Sequence, residues 1–251
     1  MTSIPASIFR AYDIRGIYGD TLTDEWAYLI GRSIGSEVLS QGQNSIAVAR
    51  DGRLSGPALK QALSDGIRAA GCNVVSVGMV PTPALYFAAC HLEGLNSGVM
   101  LTGSHNPGDY NGFKIVINGT TLSGDRIQAL RQRIVKDDMA SGEGGHDEID
   151  IIDAYQQAFL KVHSLARPLK VVVDCGNGVA GVQAPQALTA LGCEVISLFA
   201  EVDGTFPNHH PDPGDLQNLQ DLIARVKEEK ADLGLAFDGD GDRLGGVTPA
   251  G

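Results

Sequence analysis

The chain has 251 residues, 43% of them apolar, and 32 glycines scattered at turns, so it can bury one or two sizeable cores and is neither collagen-like nor of low complexity. A net charge of −11 argues against a general nucleic-acid or anionic-membrane binder, while leaving room for an anionic metabolite at a local basic cluster. Residues 1–11 lack a basic flank followed by an apolar core, and no apolar run approaches the roughly 20 residues of a membrane span. Cys72, Cys90, Cys175 and Cys193 show no CxxC pairing and sit in apolar contexts, which predicts buried free thiols in a soluble, cytoplasmic protein.

Taken in chain order, Trp26, Tyr28, Leu29 and Ile30 belong to an apolar helix packed on a core. Residues 46–49 form a short buried strand ending at Arg50-Asp51-Gly52, and a helix follows with Leu59, Leu63, Ile67 and Ala70 on one face. That helix stops at Gly71, and residues 72–77 start the next strand. Val80-Pro81-Thr82-Pro83 is a rigid turn opening a helix over residues 83–93. A third strand, residues 98–101, runs into the loop Thr102-Gly103-Ser104-His105-Asn106-Pro107, and a fourth, residues 112–117, leaves it. Residues 137–150, rich in glycine and acids and without apolar periodicity, mark a boundary, dividing the chain into 1–145 and 146–251.

The second half repeats the plan. A strand at 171–173 ends at Asp174-Cys175-Gly176, a helix runs to Gly192, and residues 193–198 start the next strand. A helix over 216–229 leads to a third strand, 233–237, then to Asp238-Gly239-Asp240-Gly241-Asp242-Arg243, then to a fourth strand, 244–248. The matching junctions Gly71-Cys72 and Gly192-Cys193 suggest one unit used twice. Strands alternating with helices predict an α/β protein: two similar three-layer α/β/α domains with mostly parallel mixed sheets and sites at the strands' carboxyl ends.

The two loops at equivalent places carry the chemistry. In an extended strand alternate carboxylates lie about 6.6 Å apart, too far to converge on one small ion. Gly239 and Gly241 allow the run to curl and bring three carboxylates together. All-oxygen donors suit a hard cation such as magnesium, and Arg243 would sit beside whatever anion the metal holds. An EF-hand fails, because its sixth position is Arg243 rather than glycine and its twelfth is Pro249 rather than glutamate. In the other loop Ser104 lies beside His105, but adjacent residues seldom make a nucleophile–base bond, and Asn106 breaks the Gly-x-Ser-x-Gly pattern. A serine near a metal loop can instead carry a phosphoryl group, whose roughly −1.5 to −2 charges a divalent ion, Lys114 and Arg243 would neutralise.

A rival lies in Gly176-Asn177-Gly178-Val179-Ala180-Gly181, which fits the dinucleotide pattern G-x-G-x-x-G, with Glu201 and Asp203 near where a ribose-binding acid falls. The same turn can need small residues only for close packing. His209-His210 before Pro211-Asp212-Pro213 shapes an interdomain loop rather than a metal site, and His91, His146 and His163 are ordinary helix or linker residues.

Ile8-Phe9-Arg10-Ala11-Tyr12-Asp13-Ile14-Arg15-Gly16, the Ser104 loop and the Asp-Gly run, in this order, resemble the α-D-phosphohexomutase superfamily, and within it the bacterial phosphomannomutase/phosphoglucomutase branch. The resemblance extends over the whole chain. It implies that Ser104 is a phosphoserine, that Asp238, Asp240 and Asp242 hold Mg2+ with a phosphoserine oxygen, and that Arg243 is a neighbouring site arginine. It further implies that Tyr12, Arg15, His105 and Lys114 surround the transferring phosphoryl group and position or deprotonate the sugar. The reaction implied is reversible exchange between hexose 1-phosphate and hexose 6-phosphate of mannose or glucose, through a bisphosphosugar intermediate. Family members carry two further domains, so the chain is expected to be the amino-terminal half of a longer enzyme and inactive alone. Phosphoglucosamine mutase, or a non-catalytic phosphosugar- or metal-binding module, are the alternatives.

Overall fold

The computed structural model describes residues 4–251, so the first three residues of the segment searched for a leader lie outside the described residues. The first half contains β1 (Ile14–Ile17), α1 (Asp24–Ser40), β2 (Ser45–Arg50), α2 (Gly56–Ala69), β3 (Asn73–Met79), α3 (Thr82–His91), β4 (Gly98–Leu101), β5 (Tyr110–Ile117), β6 (Thr120–Thr121) and α4 (Asp125–Lys136). Then come β7 (His146–Glu148) and α5 (Ile152–Val162). The second half contains β8 (Lys170–Asp174), α6 (Ala184–Ala190), β9 (Glu194–Leu198), α7 (Gln220–Glu229), β10 (Leu233–Phe237) and β11 (Leu244–Val247). No helix among the described residues is long and apolar enough to cross a membrane.

Local chemistry explains the main elements. Thr23 caps α1 by accepting a bond from the Trp26 amide at 3.3 Å, and Asp24 and Glu25 lie in its first turn, where the helix dipole favours negative charge. Pro57 sits at the start of α2, where its missing N–H costs nothing. In β2 alternate residues serve two cores: Ile46 and Val48 face α1, α2 and α4, while Ala47 and Ala49 face α3 and α5. A strand buried on both faces reads as a continuous apolar run, which is why residues 46–49 carried no alternation.

The two sheets share one topology. In the first, the order β1-β5-β4-β2-β3-β7 contains the run β5-β4-β2-β3; the second sheet is β11-β10-β8-β9. Each therefore has a parallel trio closed by one antiparallel strand, built in the same sequence order. α7 covers one face of the second sheet, and Leu188 of α6 packs on the other. The three-layer expectation holds in both halves. In each, the strand order reverses beside the first strand of the trio, so the crevice falls at the carboxyl ends of β2 and β4, and of β8 and β10.

Several elements differ from the sequence expectations. β1, β6, α4 and α5 were not anticipated, and the segment read as a linker contains β7, which pairs in parallel with β3 through Val74, Val75 and Ser76. His146, Asp147 and Glu148 are all exposed; an edge strand can be held by backbone bonds alone and then leaves no apolar signal. The helices ending at Gly192 and Glu229 each begin as a 3-10 turn. Cys90 is exposed, unlike the other three cysteines, because it lies on the outer face of α3.

α1 and α2 approach so closely that a Cβ on Gly31 would lie 2.2 Å from the Leu63 carbonyl oxygen. Gly31→Ala should therefore destabilise the first half by about 1–3 kcal/mol, read as a lower urea midpoint. An unchanged midpoint would contradict the close helix contact.

Candidate active site between the two halves

The loop after β4 and the loop after β10 meet face to face. Ser104 has a left-handed backbone (φ 52°), uncommon for a residue with a side chain. Its amide donates to Thr102 Oγ1 at 2.7 Å, and its Oγ donates to Asp238 Oδ2 at 2.9 Å. The two glycines of the acidic run have different duties. Gly241 supplies the left-handed turn (φ 72°) that curls the run. Gly239 instead allows close approach, since a Cβ there would lie 2.5 Å from the Ser104 carbonyl oxygen.

One oxygen from each of Asp238, Asp240 and Asp242 lies within 4.8 Å of the others, with Asp238 and Asp240 fully buried. Lys114, on β5 of the first half, reaches into the cluster, 2.7 Å from Asp240 Oδ2 and 2.5 Å from Asp242 Oδ2. Thr82 Oγ1 donates to Asp240 Oδ2 as well. Asp240 Oδ1 is buried without a hydrogen-bond partner. A buried, unpartnered carboxylate oxygen among converging oxygen donors fits a hard cation.

Burial, together with the charges of Asp240 and Asp242, pushes the Asp238 carboxyl up to about 7. Asp240 is also buried, but the Lys114 ammonium outweighs that and holds it below the usual carboxylate range. Burial would lower Lys114; the two carboxylates beside it win and raise it.

Above this cluster opens a cleft of about 520 Å³, bordered by Tyr12, Arg15, Ser104, His105, Lys114 and Arg243. Tyr12 is 77% exposed at its mouth. Arg15 is buried on β1, donates to the Gly103 carbonyl at 2.8 Å and pairs with Asp13 at 2.5 Å, leaving its Nε without a partner. Arg243 is half-exposed, 3.5 Å from His105 Nε2 and 4.0 Å from Asp238. Burial and the Arg243 charge hold His105 below the ordinary histidine pKa, and its Nδ1 is buried and unpartnered. All nine residues singled out from sequence thus gather around one cleft and the acidic cluster beneath it.

Three residues around the site were missed. Arg53 is fully buried against the Ser104 loop and paired with Asp51 at 3.1 Å, and Thr82 grips Asp240 from the first half. Asp51 follows a buried strand and Thr82 lies in the turn read as opening a helix, so each carried a weak signal; Arg53 carried none, because most of its partners are backbone carbonyls of a distant loop.

The glycine-rich turn is consumed by packing. A Cβ on Gly178 would lie 3.0 Å from Gly239, one on Gly181 would lie 1.9 Å from the Ala200 carbonyl, and Val179 donates its amide to the Gly239 carbonyl at 3.1 Å. The turn therefore backs the acidic loop, and the Asn177 side-chain Nδ2 donates to the Glu201 carbonyl. His209 pairs with buried Asp174 at 3.0 Å, and His210 donates to the His105 carbonyl, so the pair does shape the interdomain loop.

The structure is thus a two-domain α/β protein in which a serine hydroxyl is bonded to a buried carboxylate cluster under a cleft bordered by arginine and lysine. Residues 6–141 match the sequence profile of phosphoglucomutase/phosphomannomutase, alpha/beta/alpha domain I, and residues 152–251 match that of domain II, and the chain belongs to this family. It is 65% identical over 249 residues to the phosphomannomutase/phosphoglucomutase of Pseudomonas aeruginosa, covering 99% of this chain and 54% of that protein. It is 53% identical over 253 residues to the phosphoglucomutase of Neisseria meningitidis, covering 100% of this chain and 55% of that one. Among solved structures, a phosphoglucomutase/phosphomannomutase family protein from Burkholderia thailandensis superposes with a TM-score of 0.96 at 54% identity, covering 99% of this chain and 56% of that chain. The chain spans about half the length of the curated relatives it matches.

Donation of a hydrogen bond to the Asp174 carboxylate raises the His209 pKa, against the opposing effect of burial. The stabilisation is then fully present below the unfolded-state value of about 6.5 and is lost as pH rises through the folded value. Between pH 5.5 and 9 the melting temperature of the native chain should fall relative to that of His209→Gln. Parallel pH profiles would contradict the pairing.

Proposed function

We propose that this chain supplies the phosphoserine and metal loops of a phosphohexomutase that interconverts hexose 1-phosphate and hexose 6-phosphate, with mannose and glucose as the sugars. The observation carrying this reading is the Ser104 hydroxyl, 2.9 Å from Asp238 in a cluster of three carboxylates and one lysine. In this reading the boundary expected at 145/146 moves past β7, which belongs to the first sheet: the residues up to Glu148 form the phosphoserine unit and residues 152–251 the metal unit. The names of the relatives at 65% and 53% identity support the sugars proposed. Three buried free thiols, Cys72, Cys175 and Cys193, suit a reducing cytoplasmic setting.

Asp238, Asp240 and Asp242 would hold Mg2+, which when bound supplies charge neutralisation for the phosphoryl oxygens. Lys114, Arg15 and Arg243 add positive charge around the same group, and Tyr12 lines the sugar's entry. A sugar hydroxyl oxygen attacks the phosphorus on Ser104, a new O–P bond forms, and the bond from phosphorus to Ser104 Oγ breaks. The hydroxyl proton passes to a base, for which His105 is a candidate because it borders the cleft and burial and the Arg243 charge favour its neutral form. Ser104 Oγ regains a proton as it is released. The bisphosphosugar then turns over and returns its other phosphate to Ser104. Relatives of which this chain spans about half support the further proposal that additional domains recognise the sugar and that these two units alone turn over poorly.

Phosphosite mapping by mass spectrometry tests the reading, before and after incubation with a hexose 1,6-bisphosphate and magnesium. Phosphate is expected on Ser104 and absent in Ser104→Ala. Phosphate elsewhere, or uptake that survives Ser104→Ala, would overturn it.

A further inference from the structure

Arg53 is fully buried in a protein that has no obvious need to bury an arginine there. A buried guanidinium persists only if it is paired and hydrogen-bonded. It has five N–H donors in a fixed planar fork, and here it meets five acceptors. Nε faces Asp51 Oδ2 at 3.1 Å. One terminal nitrogen donates to the carbonyls of Tyr110, at 2.9 Å, and Pro107. The other donates to the carbonyls of Ser104, at 2.8 Å, and Asn106, at 2.7 Å. The loop between β4 and β5 is thus wrapped around one side chain from the loop after β2.

Two further contacts tighten this arrangement. A Cβ on Gly103 would lie 2.2 Å from Arg53 Cζ, so the loop backbone sits directly against the guanidinium. From the second half, the Phe206 ring lies 5.4 Å from Arg53 Cζ and covers its remaining face. The Ser104 carbonyl is caught between Arg53 and Gly239, which fixes the peptide that gives Ser104 its left-handed backbone and aims its Oγ at Asp238.

We propose that Arg53 is a positioning residue for the phosphoryl-carrying serine, and that Phe206 couples this clamp to the docking of the second half. The proposal rests on the reading of Ser104 as a phosphoserine. Lysine would keep the charge but concentrate three donors at one point, and cannot span four carbonyls.

The test compares native chain, Arg53→Lys and Phe206→Leu by three readouts. These are the rate of Ser104 phosphorylation across a range of hexose 1,6-bisphosphate concentrations, hydrogen exchange of a peptide covering residues 102–110, and thermal melting as a control for folding. Arg53→Lys should lower the maximal loading rate about 100-fold, the cost of misplacing a reacting atom by about 1 Å. The half-saturating concentration should stay within about twofold of native, since the sugar phosphate does not touch Arg53, and exchange in 102–110 should accelerate more than elsewhere. Phe206→Leu should lower the rate by about twofold to fivefold, as expected for loss of one cation–π contact. A folded Arg53→Lys that loads at the native rate, or whose loop exchanges like native, overturns the proposal. If Arg53→Lys does not melt cooperatively, Phe206→Leu decides, and native values of both rate and exchange refute the coupling. If the native chain takes no phosphate, loop exchange alone decides the clamp, and loading of a full-length relative decides the phosphoserine reading separately.

Discussion

Three carboxylates within 4.8 Å repel one another, and the closest counter-charge, Lys114, comes from the other half of the chain, with Arg243 of their own half 4.0 Å from Asp238. Lys114 reaches across to Asp240 and Asp242, Thr82 donates to Asp240, and Ser104 donates to Asp238. Buried like charges strongly disfavour joint ionisation unless a counter-charge is close. Docking of the first half therefore stabilises the acidic loop in this shape, beside the Asp242 and Arg243 amides that donate to Asp238 from its own half. The interface between the halves and the candidate active site are the same object.

Duplication explains how two loops come to face each other. Each half builds its sheet in the same order and places its chemistry after the third strand of the repeat. The first strand of each trio ends in an aspartate that turns the chain in the same way: Asp51 accepts from the Arg53 amide at 3.0 Å, and Asp174 from the Gly176 amide at 2.9 Å. From that shared start the halves diverge. Asp51 is spent on Arg53 and the serine loop, whereas Asp174 is spent on His209 and the interdomain loop. One βα unit thus yields a serine loop and an acidic loop without a change of architecture.

How legible this was in the sequence follows from the physics of each element. Residues 46–49, 98–101 and 171–173 are buried on both faces, so their apolar runs announced the strands. The Asp-Gly run was visible because three carboxylates spaced by glycines at a buried strand's end suit an ion, and Ser104, whose loop alone reads as a polar turn, stood out only beside that run and through the family resemblance. β7 was invisible, since an exposed edge strand of His-Asp-Glu is held by backbone bonds alone. Arg53 was invisible for a related reason: its five acceptors are one carboxylate two residues away and four carbonyls over 50 residues on. The Gly176–Gly181 turn, which looked like a dinucleotide site, has its steric need met by Gly239 and Ala200.

The central claim is that a group on Ser104 and the three aspartates act on one cation. Titrating Mn2+ into unmodified and Ser104-phosphorylated chain, read by electron paramagnetic resonance, tests this directly. The phosphate adds charged oxygen donors to the serine Oγ, which lies 2.9 Å from Asp238 Oδ2. Affinity should therefore rise at least about tenfold on phosphorylation, and Asp240→Asn should abolish the gain. Equal affinity in the two forms would contradict the account.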